Sequence, residues 1–361
     1  MILEHLTLRR FRNLTEATLS PHPRFNVLVG ANGQGKTNLL EAIYWLATLR
    51  PSRAGRLREL VQWGADACRV EGRVLYEGLE HRLSCEVVGG ERVAKREGKV
   101  VRVPGYFGVL AVVLFTPDDV GLVRGPPADR RGFLDRAIFT GRPAYLADVL
   151  TYRRALDARN KLLRDEAPDD LIAVYEATLA PAGARLMAAR RDYVEALQPV
   201  FTDAFGRIMD AEMAVRLAYR PGADIEGDVA TGLCALWAED RARDRQRGFT
   251  QRGPHTDDLV LRLHDRPARA YASQGQQRAM VLALKIGEIE LLRARRRCTP
   301  VLLLDDVSSE LDPERNARLF RFLEDFEGQV FITTTDAAFL RIGAERCTWR
   351  VQAGEVEQVE H

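Results

Sequence analysis

The sequence has no long apolar run and no recognisable export signal. No stretch of consecutive apolar residues approaches the roughly 18 that a transmembrane helix requires. The N-terminal residues M-I-L-E-H-L-T-L-R-R alternate as a strand would, and they lack the order of basic segment and apolar stretch that marks a signal peptide. We therefore expect a cytoplasmic protein with no membrane partner.

Cysteine and lysine are both scarce, and neither sign of charge dominates. The five cysteines are scattered and form no C-x-x-C pair, so we expect reduced thiols rather than a disulfide framework or a metal site. The formal net charge is only +2. The chain as a whole therefore does not require a nucleic-acid partner, and any such surface must be local. Nearly all basic residues are arginine, which makes the lysine at position 36 informative.

A glycine-rich segment follows the apolar run Phe25–Val29. It reads G-A-N-G-Q-G-K-T, and a helical pattern over 38–49 comes next. The pattern G-x-x-x-x-G-K-[ST] between a strand and a helix predicts a phosphate-binding loop, in which backbone N–H groups and the helix start face the phosphates. Lys36 places its charge between the terminal phosphates, and the Thr37 hydroxyl can ligate Mg²⁺. The predicted nucleotide contacts are Gly30, Ala31, Asn32, Gly33, Gln34, Gly35, Lys36, Thr37 and Asn38.

A second apolar run ends in two carboxylates. Residues 301–306 read V-L-L-L-D-D. Continuous apolarity predicts a strand buried on both faces of a parallel sheet, and ligands bind at the carboxyl end of such strands. We expect Asp305 to complete the Mg²⁺ site. Asp306 is the predicted general base for the attacking water, and Lys36 is the other predicted catalytic residue.

A third segment opens a long, mostly apolar helix over about 276–296. Residues 273–278 read S-Q-G-Q-Q-R, which places Ser273 and Gln276 in a capping box. A serine hydroxyl at a glycine-containing helix start is a second anion site. One nucleotide cannot use both anion sites if they lie at opposite ends of a subunit. Two subunits arranged head to tail solve this, each offering its helix start to the other's ATP. The predicted contacts in trans are Ser273, Gln274, Gly275 and Gln276.

The length of 361 residues and the change of character along the chain predict one α/β domain that carries an insertion. Strand-like segments dominate the first third, including one over 100–103, and the last third returns to alternating strands and helices. We predict a discontinuous nucleotide-binding domain over 1–120 and 248–361. The residues between, 121–247, are predicted to form a mostly helical lobe.

The middle of the chain has helical spacing and is rich in arginine and alanine. It predicts three to five helices. Leu171, Val174, Tyr175, Thr178 and Leu179 fall on one helical stripe. The charged run over 239–247 is interpreted most simply as a solvated helix face, with a DNA contact as the alternative.

In their order, these segments resemble the ABC-type ATPase heads shared by the structural-maintenance-of-chromosomes (SMC) proteins and the RecF recombination mediators. The sustained heptads of the SMC coiled coils are missing here, as they are in the RecF family. The segments that favour the RecF family are F-R-N at 11–13, R-R-G-F-L-D at 130–135, R-G-P-H-T-D-D at 252–258, S-Q-G-Q-Q-R at 273–278 and L-L-D-D-V-S-S-E-L-D at 303–312. Together they span most of the chain.

The resemblance implies an α/β fold, namely an ABC-type P-loop ATPase head with a mostly helical inserted lobe. It also implies an ATP-dependent protein of recombinational repair that binds double-stranded DNA. Such proteins act at single-strand gaps with RecO and RecR mediators and help to load a recombinase. The implied cofactors are ATP and Mg²⁺, with an ATP-dependent homodimer and slow hydrolysis. By the same resemblance, Arg12 is a phosphate neighbour in the ATP site and Asp312 belongs to the D-loop.

The departures from the ABC pattern fall mainly at positions that serve hydrolysis. A-S-Q-G-Q replaces the usual L-S-G-G-Q but keeps its serine, second glycine and glutamine. Asp306 stands where these heads usually have glutamate, and Thr335 stands at the usual switch histidine. No glutamine occurs near 112–116 for the usual Mg²⁺-contacting loop. The binding half of the site is therefore complete, whereas the hydrolytic half is in doubt.

Dense local arginine indicates where DNA phosphates could be held. The candidates are Arg130, Arg131, Arg293, Arg295, Arg296 and Arg297. For each cluster a solvated or ion-paired surface is the alternative. His255 is either a nucleotide-site or interface residue or part of a structural loop. Asp257 and Asp258 either form local ion pairs or support the helix that Ser273 opens.

Three other functions are open to a chain with these motifs. The long separation of Lys36 and Ser273 argues against the ATPase subunit of a transporter. A phosphate-loop kinase would not need the serine-led helix start. A scaffold in which ATP is mainly structural stays open because of Asp306 and Thr335.

Overall fold

The computed structural model describes residues 1–53, 55–209, 213–306, 313–336 and 345–359. The strands, in chain order, are β1 (Ile2–Phe11), β2 (Leu14–Leu19), β3 (Phe25–Val29), β4 (Ala67–Tyr76), β5 (Leu79–Val88), β6 (Glu91–Arg96), β7 (Lys99–Val100), β8 (Val112–Phe115), β9 (Val215–Arg220), β10 (Asp258–Leu263), β11 (Arg266–Pro267), β12 (Val301–Leu304), β13 (Val330–Thr334), β14 (Arg346–Gln352) and β15 (Glu355–Val359).

The α-helices are α1 (Lys36–Thr48), α2 (Val103–Tyr106), α3 (Gly121–Arg124), α4 (Pro127–Gly141), α5 (Tyr145–Arg164), α6 (Asp169–Met209), α7 (Val229–Arg247), α8 (Ala268–Tyr271), α9 (Gln274–Arg296) and α10 (Pro313–Asp325). Within the described ranges, no helix combines the length and apolarity needed to cross a bilayer. The five cysteines are all free, as the scattered spacing predicted.

The chain divides into two compact units. The first unit is formed by 1–119 and 288–361, and the second by 120–287. Residues 248–287, which the sequence pattern joins to the nucleotide-binding domain, belong to the second compact unit. The functional boundary at 248 therefore stays a prediction.

The first unit contains two sheets. One is antiparallel, with strand order β2-β1-β4-β5-β6-β7, and the other has the order β15-β14-β3-β13-β12-β8. In the second sheet β12 pairs in parallel with β13 and β8, and all four residues of β12 are buried. This confirms the strand predicted over 301–304. The C-terminal hairpin of β14 and β15 continues this sheet through the parallel pairing of β14 with β3.

Helix α1 is buried almost all round. Its side chains Leu39, Ile43, Trp45 and Leu46 belong to one hydrophobic cluster that also contains residues of both sheets. A helix that is apolar on every face is stable only inside a core. The phosphate-binding loop that precedes α1 is therefore attached to one of the most deeply buried elements of the unit.

The second unit is mainly helical and also contains the three-stranded sheet β11-β10-β9. Helix α6 has 41 residues and continues through Pro181 and Pro199, so these prolines do not start new helices. The stripe of five residues that the sequence shows lies on α6, but it is not a buried face. Leu171, Val174, Tyr175 and Thr178 are exposed, and only Leu179 is buried. Helices α5 and α7 both pack on α6, where Arg159 of α5 and Arg241 of α7 donate to the buried Glu176.

Two other predictions are corrected. The segment 239–247 is not a fully solvated face, because Asp240 and Asp244 are buried. Asp244 accepts a hydrogen bond of 2.8 Å from the buried Arg159 of α5, and an ion pair within the core offsets the loss of hydration. The strand predicted over 100–103 ends at Val100, and α2 begins at Val103 because the next residue is a proline, which is well suited to the first turn of a helix.

Candidate functional site

The phosphate-binding loop lies between β3 and α1, as predicted. Gly33 and Gly35 have φ angles of 79° and 118°, a conformation that is strained for any residue with a side chain. A Cβ on Gly30 would lie 2.2 Å from the carbonyl oxygen of Val351 in β14. The glycines are therefore required by the backbone path and by the close approach of a neighbouring strand.

Two turns that lie far from the loop in the sequence hold it by hydrogen bonds to Gln34. The side-chain amide of Asn13 donates to the Gln34 carbonyl oxygen at 3.0 Å, and Asn38 donates to Asn13 at 2.7 Å. From the C-terminal hairpin, the Gly354 N–H donates to the same carbonyl at 3.1 Å, and the Ala353 N–H donates to Gln34 Oε1 at 2.7 Å. These support residues were not predicted, although F-R-N and the Ala-Gly turn were both visible in the sequence.

Lys36 is buried inside the loop. Its Nζ donates to the carbonyl oxygens of Gly30 at 2.6 Å and Ala31 at 2.9 Å. Burial lowers the pKa of Lys36, and the nearby carboxylates Asp306 and Asp305 oppose that shift. The ammonium group of Lys36 is thus held inside the loop by neutral carbonyl acceptors. Phosphate oxygens can replace these acceptors, and the ammonium group then gains stronger, charge-assisted hydrogen bonds.

The residues of the predicted Mg²⁺ site come from three parts of the fold, namely α1, the end of β12 and β13. Thr37 Oγ1 donates to Asp305 Oδ1 at 2.8 Å, and Thr333 Oγ1 of β13 donates to the same oxygen at 2.9 Å. Burial raises the pKa of Asp305, while the two threonine hydroxyls act in the opposite direction. A hydroxyl and a carboxylate oxygen are the hard ligands that Mg²⁺ prefers. Thr37 and Asp305 would hold the ion, whose charge would offset that of the phosphates when ATP is bound.

Asp305 leads to a prediction about pH and stability. Because its pKa in the folded protein is raised, its contribution to stability is full below the ordinary aspartate pKa and is lost as the pH rises through the folded value. We expect Asp305→Asn to raise the melting temperature of the nucleotide-free protein by about 1–2 °C at neutral pH, and to remove the extra stabilisation by ATP–Mg²⁺.

Thermal melts from pH 5 to 8, with and without ATP–Mg²⁺, test this. The wild-type protein should lose stability relative to the variant as the pH rises. A melting temperature that falls in the nucleotide-free variant, or ATP–Mg²⁺ stabilisation equal to that of the wild type, would contradict the assignment of Asp305 to the metal side.

Asp306 follows directly and has a left-handed backbone, with φ of 48°. Its N–H donates to Thr333 Oγ1 at 2.8 Å, so Thr333 joins the two carboxylate residues. Thr335, at the switch position, is exposed. Asp312, assigned to the D-loop, lies outside the described residues. The roles of Asp306 and Thr335 in hydrolysis remain predictions.

Arg12 lies beside α1 in an ion pair. Its guanidinium donates to the buried Glu41 carboxylate at 3.0 and 3.2 Å and to the Glu59 carbonyl oxygen at 2.8 Å. Arg53 donates to Asn38 at 2.9 Å and lies 3.6 Å from Glu41. Sequence reasoning missed Arg53, which stands in a run of arginines with no motif. A phosphate contact by Arg12 stays a prediction.

In the second unit, the predicted capping box is present at the start of α9. The Ser273 N–H donates to Gln276 Oε1 at 2.7 Å, and the Gln276 N–H donates to Ser273 Oγ at 3.2 Å. Both residues are solvent-accessible. Since Oγ acts as an acceptor in this box, the hydroxyl proton of Ser273 is available to an external anion.

The G-P-H-T-D-D segment forms a network of buried ion pairs in the second unit. Asp257 accepts from Arg190 at 2.6 Å, and Asp258 accepts two bonds from Arg130 at 2.7 and 3.1 Å. Arg131 donates to the Asp257 carbonyl oxygen at 2.8 Å. The local ion-pair alternative is therefore correct for both aspartates, and burial of Arg130 in such a pair excludes it as a DNA contact.

His255 is held by two hydrogen bonds within the second unit. Its Nε2 lies 2.9 Å from the Thr250 carbonyl oxygen, which can only accept, so Nε2 carries the proton. Nδ1 then accepts from the Tyr152 hydroxyl at 2.7 Å. Burial lowers the pKa of His255, and the ring is held neutral as part of the loop.

The fold and the phosphate site together define the class. The mostly parallel sheet carries the buried helix α1 and a glycine loop that is held at Gln34, and Asp305 directly follows β12. These features define an ABC-type P-loop ATPase head of the kind found in SMC-like proteins.

Comparisons with known proteins agree with this class and identify a family within it. The model of the RecF/RecN/SMC N-terminal domain matches residues 2–357. The DNA replication and repair protein RecF of Myxococcus xanthus (strain DK1622) is 48% identical over 369 residues, covering 99% of this chain and 97% of that protein. RecF of Anaeromyxobacter sp. (strain Fw109-5) is 48% identical over 365 residues, with 99% of both covered.

Solved structures give the same result. Two structures of the recombination mediator protein RecF in the RecFOR pathway, RecF-ATPrS and RecF-ATP, have TM-scores of 0.91 and 0.90 at 30% identity, covering 99% of this chain and 98% of theirs. An Smc head bound to the C-winged helix domain of ScpA has a TM-score of 0.58 at 15% identity, which shows the shared fold. The chain belongs to the RecF family of DNA replication and repair proteins.

Proposed function

We propose that this protein is an ATP-dependent DNA-binding protein of recombinational repair, whose ATP-bound dimer clamps duplex DNA near single-strand gaps. The observation that carries the proposal is the complete set of binding groups. Lys36, Thr37 and Asp305 converge within the first unit, and the Ser273 capping box stands exposed at the start of α9. Membership of the RecF family supplies the link to DNA repair.

ATP acts as the bridge between two copies. The phosphates bind the loop around Lys36 in one copy, and the serine-led helix start of the other copy covers them. A ligand shifts a monomer–dimer equilibrium only as far as its affinity differs between the two states. A triphosphate that gains the Ser273 hydroxyl and the N–H groups of α9 only in the dimer meets this requirement.

Hydrolysis then acts as the release step and is slow. Asp306 is the proposed general base, and its side chain is one methylene shorter than the glutamate usual in these heads. A displacement of about 1 Å in such a group can reduce the rate about a hundredfold. A scaffold with mainly structural ATP is the second candidate, and Asp306 favours it. A single-turnover ATPase measurement with and without DNA separates the two.

DNA is proposed to bind by its phosphate backbone, which gives affinity without sequence preference. The arginines at the end of α9 differ in availability. Arg293 lies 3.5 Å from Glu290 and 3.6 Å from Glu327, and Arg296 stacks over the Tyr76 ring and donates to the Gly108 carbonyl oxygen. Arg295 and Arg297 are exposed and remain the better phosphate contacts of this cluster.

The cellular role follows the family. We propose that the dimer works in the cytoplasm with RecO- and RecR-type mediators, at gaps in duplex DNA, and assists the loading of a recombinase. ATP and Mg²⁺ are its proposed cofactors, held by the phosphate loop and by Thr37 with Asp305.

The proposal is tested by measuring the affinity for blunt duplex, single-stranded and gapped DNA, each with ATP–Mg²⁺, ADP–Mg²⁺ and no nucleotide, at two salt concentrations. We expect ATP–Mg²⁺ to give the tightest binding to both duplex forms. Affinity should fall steeply with salt, because each phosphate contact adds about 0.9 to the logarithmic slope. An affinity that changes with neither nucleotide nor salt would rule out the clamp.

A further inference from the structure

Trp63 is a fully exposed aromatic side chain in a protein that buries its other tryptophans. Its relative exposure is 100%, whereas Trp45 and Trp237 are at 0% and Trp349 is at 3%. Tryptophan gains more from burial than almost any other side chain, and it is enriched where a ligand or partner covers it. Trp63 is therefore available to contact a ligand or partner.

The segment that presents Trp63 is held in place from both sides. Its backbone lies alongside the end of β1, where Val61 forms a bridge with Phe11. The hydrogen bonds that fix the segment are Arg12 N–H to Leu60 O at 2.8 Å, Gln62 N–H to Arg10 O at 2.8 Å, Gln62 Nε2 to Thr15 Oγ1 at 2.9 Å and Ala65 N–H to Gln62 O at 3.0 Å. The indole is displayed by an ordered turn, which reduces the entropy lost on binding.

The surroundings of Trp63 are basic. Segments 9–16 and 53–66 contain six arginines and three carboxylates, although the whole chain has a net charge of only +2. One of those carboxylates, Glu16, lies 3.2 Å from Arg9. Arg10, Arg56 and Arg58 are exposed, and among the described residues their side chains have no hydrogen-bond or ion-pair partner. Unpaired guanidinium groups attract phosphates.

We propose that Arg10, Arg56, Arg58 and Trp63, the Trp63 surface, bind DNA that carries unpaired bases. The arginines hold backbone phosphates, and the indole stacks on a base that is not part of a duplex. A duplex offers phosphates but keeps its base faces stacked inside, whereas single strands and gaps expose them. The inference rests on the proposed DNA-binding function and specifies which part of a gapped DNA this surface contacts.

The Trp63 surface lies close to the nucleotide site of the same unit. Arg12 donates to the Glu59 carbonyl oxygen, four residues before Trp63, and it also pairs with Glu41 of α1. A second copy of the chain is therefore the competing occupant, because it too would approach the nucleotide side. Charge favours DNA, since exposed and unpaired arginines on both copies would repel at a self-interface.

The test compares the full-length wild type with Trp63→Ala, Trp63→Phe and the control Leu79→Ala, which truncates another exposed apolar side chain of the same unit. Binding of labelled single-stranded, gapped and blunt duplex DNA is measured by fluorescence anisotropy with ATP–Mg²⁺. We expect Trp63→Ala to weaken binding of single-stranded and gapped DNA about tenfold, as for the loss of one stacked base. Blunt duplex should be unaffected. Trp63→Phe should retain most of the affinity, and Leu79→Ala should match the wild type.

Intrinsic fluorescence gives a second readout, because Trp63 is the exposed tryptophan. Addition of single-stranded oligothymidine should quench it in the wild type. Quenching by ATP–Mg²⁺ in the absence of DNA would assign the surface to a second copy and overturn the proposal. Wild-type affinities in Trp63→Ala for all three DNAs would also overturn it while leaving the DNA-binding function intact, whereas a wild type that binds none of them would refute the proposed function itself.

The arginines are tested separately through salt dependence. Arg58→Ala should weaken binding of gapped and blunt DNA alike and reduce the logarithmic salt slope by about one. An unchanged slope would remove the phosphate contact from the proposal and contradict it.

Discussion

Replacing Ser273 with arginine is expected to abolish ATP-induced dimerisation while leaving ATP binding by the single copy nearly unchanged. The hydroxyl of Ser273 accepts from the Gln276 N–H at 3.2 Å in an exposed capping box, and the small side chain allows the helix start to approach a phosphate. An arginine side chain removes the hydroxyl and fills the space needed for that approach. Sedimentation velocity with and without ATP–Mg²⁺ should show a dimer only for the wild type.

Two controls make this result specific. Ser273→Thr keeps a capping hydroxyl and should still dimerise. Ser20→Arg places the same side chain at an exposed serine of the first unit and should also behave as the wild type. If the wild type shows the same monomer fraction with and without ATP–Mg²⁺, the bridging role of ATP is wrong. Normal dimerisation of Ser273→Arg would instead remove Ser273 from the interface.

Replacing Lys36 with alanine is expected to reduce ATP affinity at least about a hundredfold. The Lys36 ammonium is buried in the loop and donates to the Gly30 and Ala31 carbonyl oxygens. On phosphate it would form charge-assisted bonds, each contributing about 1.5–3 kcal/mol, and two of these correspond to about two orders of magnitude or more in Kd. Isothermal titration with ATP–Mg²⁺ measures the change, and DNA affinity should lose its dependence on ATP.

The matched control is Lys95→Ala. Lys95 is half-buried, and its partner is Glu86 in the antiparallel sheet, at 2.8 Å. Its loss should leave ATP affinity within about twofold, because the charge of Lys95 is paired with Glu86 and not directed at the phosphate-binding loop. Lys36→Arg should also bind ATP weakly, since a planar guanidinium does not fit a site shaped for a compact ammonium. Wild-type affinity in Lys36→Ala would disprove the nucleotide site.

Several parts of the fold were predictable because their causes are local. Val301–Leu304 is a continuous apolar run and Phe25–Val29 is apolar except for Asn26, and both form strands of the sheet with the predicted bounds. The capping box at Ser273 formed as predicted because its two bonds join residues three positions apart. Such features depend on spacing along the chain, which a sequence displays directly.

Other parts were not predictable because their causes lie elsewhere in the chain. Leu171, Val174 and Tyr175 have the spacing of a buried stripe, yet they are exposed because α5 and α7 cover a different face of α6. Arg130 has the composition of a DNA contact, but Asp258 holds it in a buried ion pair. Amphipathic spacing and charge cannot specify which neighbour an element meets.

The sequence by itself determined the chemistry of the nucleotide site: a glycine loop with Lys36 and Thr37, a strand that ends in Asp305, and a serine-led helix. The tertiary structure alone decided how those groups are supported. It brought Asn13 and Gly354 from opposite ends of the chain to the carbonyl of Gln34, and it joined Thr37 and Thr333 at one carboxylate oxygen. The physical reason is that phosphate-binding groups are defined by residue type at short spacing, whereas their support comes from strand order and packing.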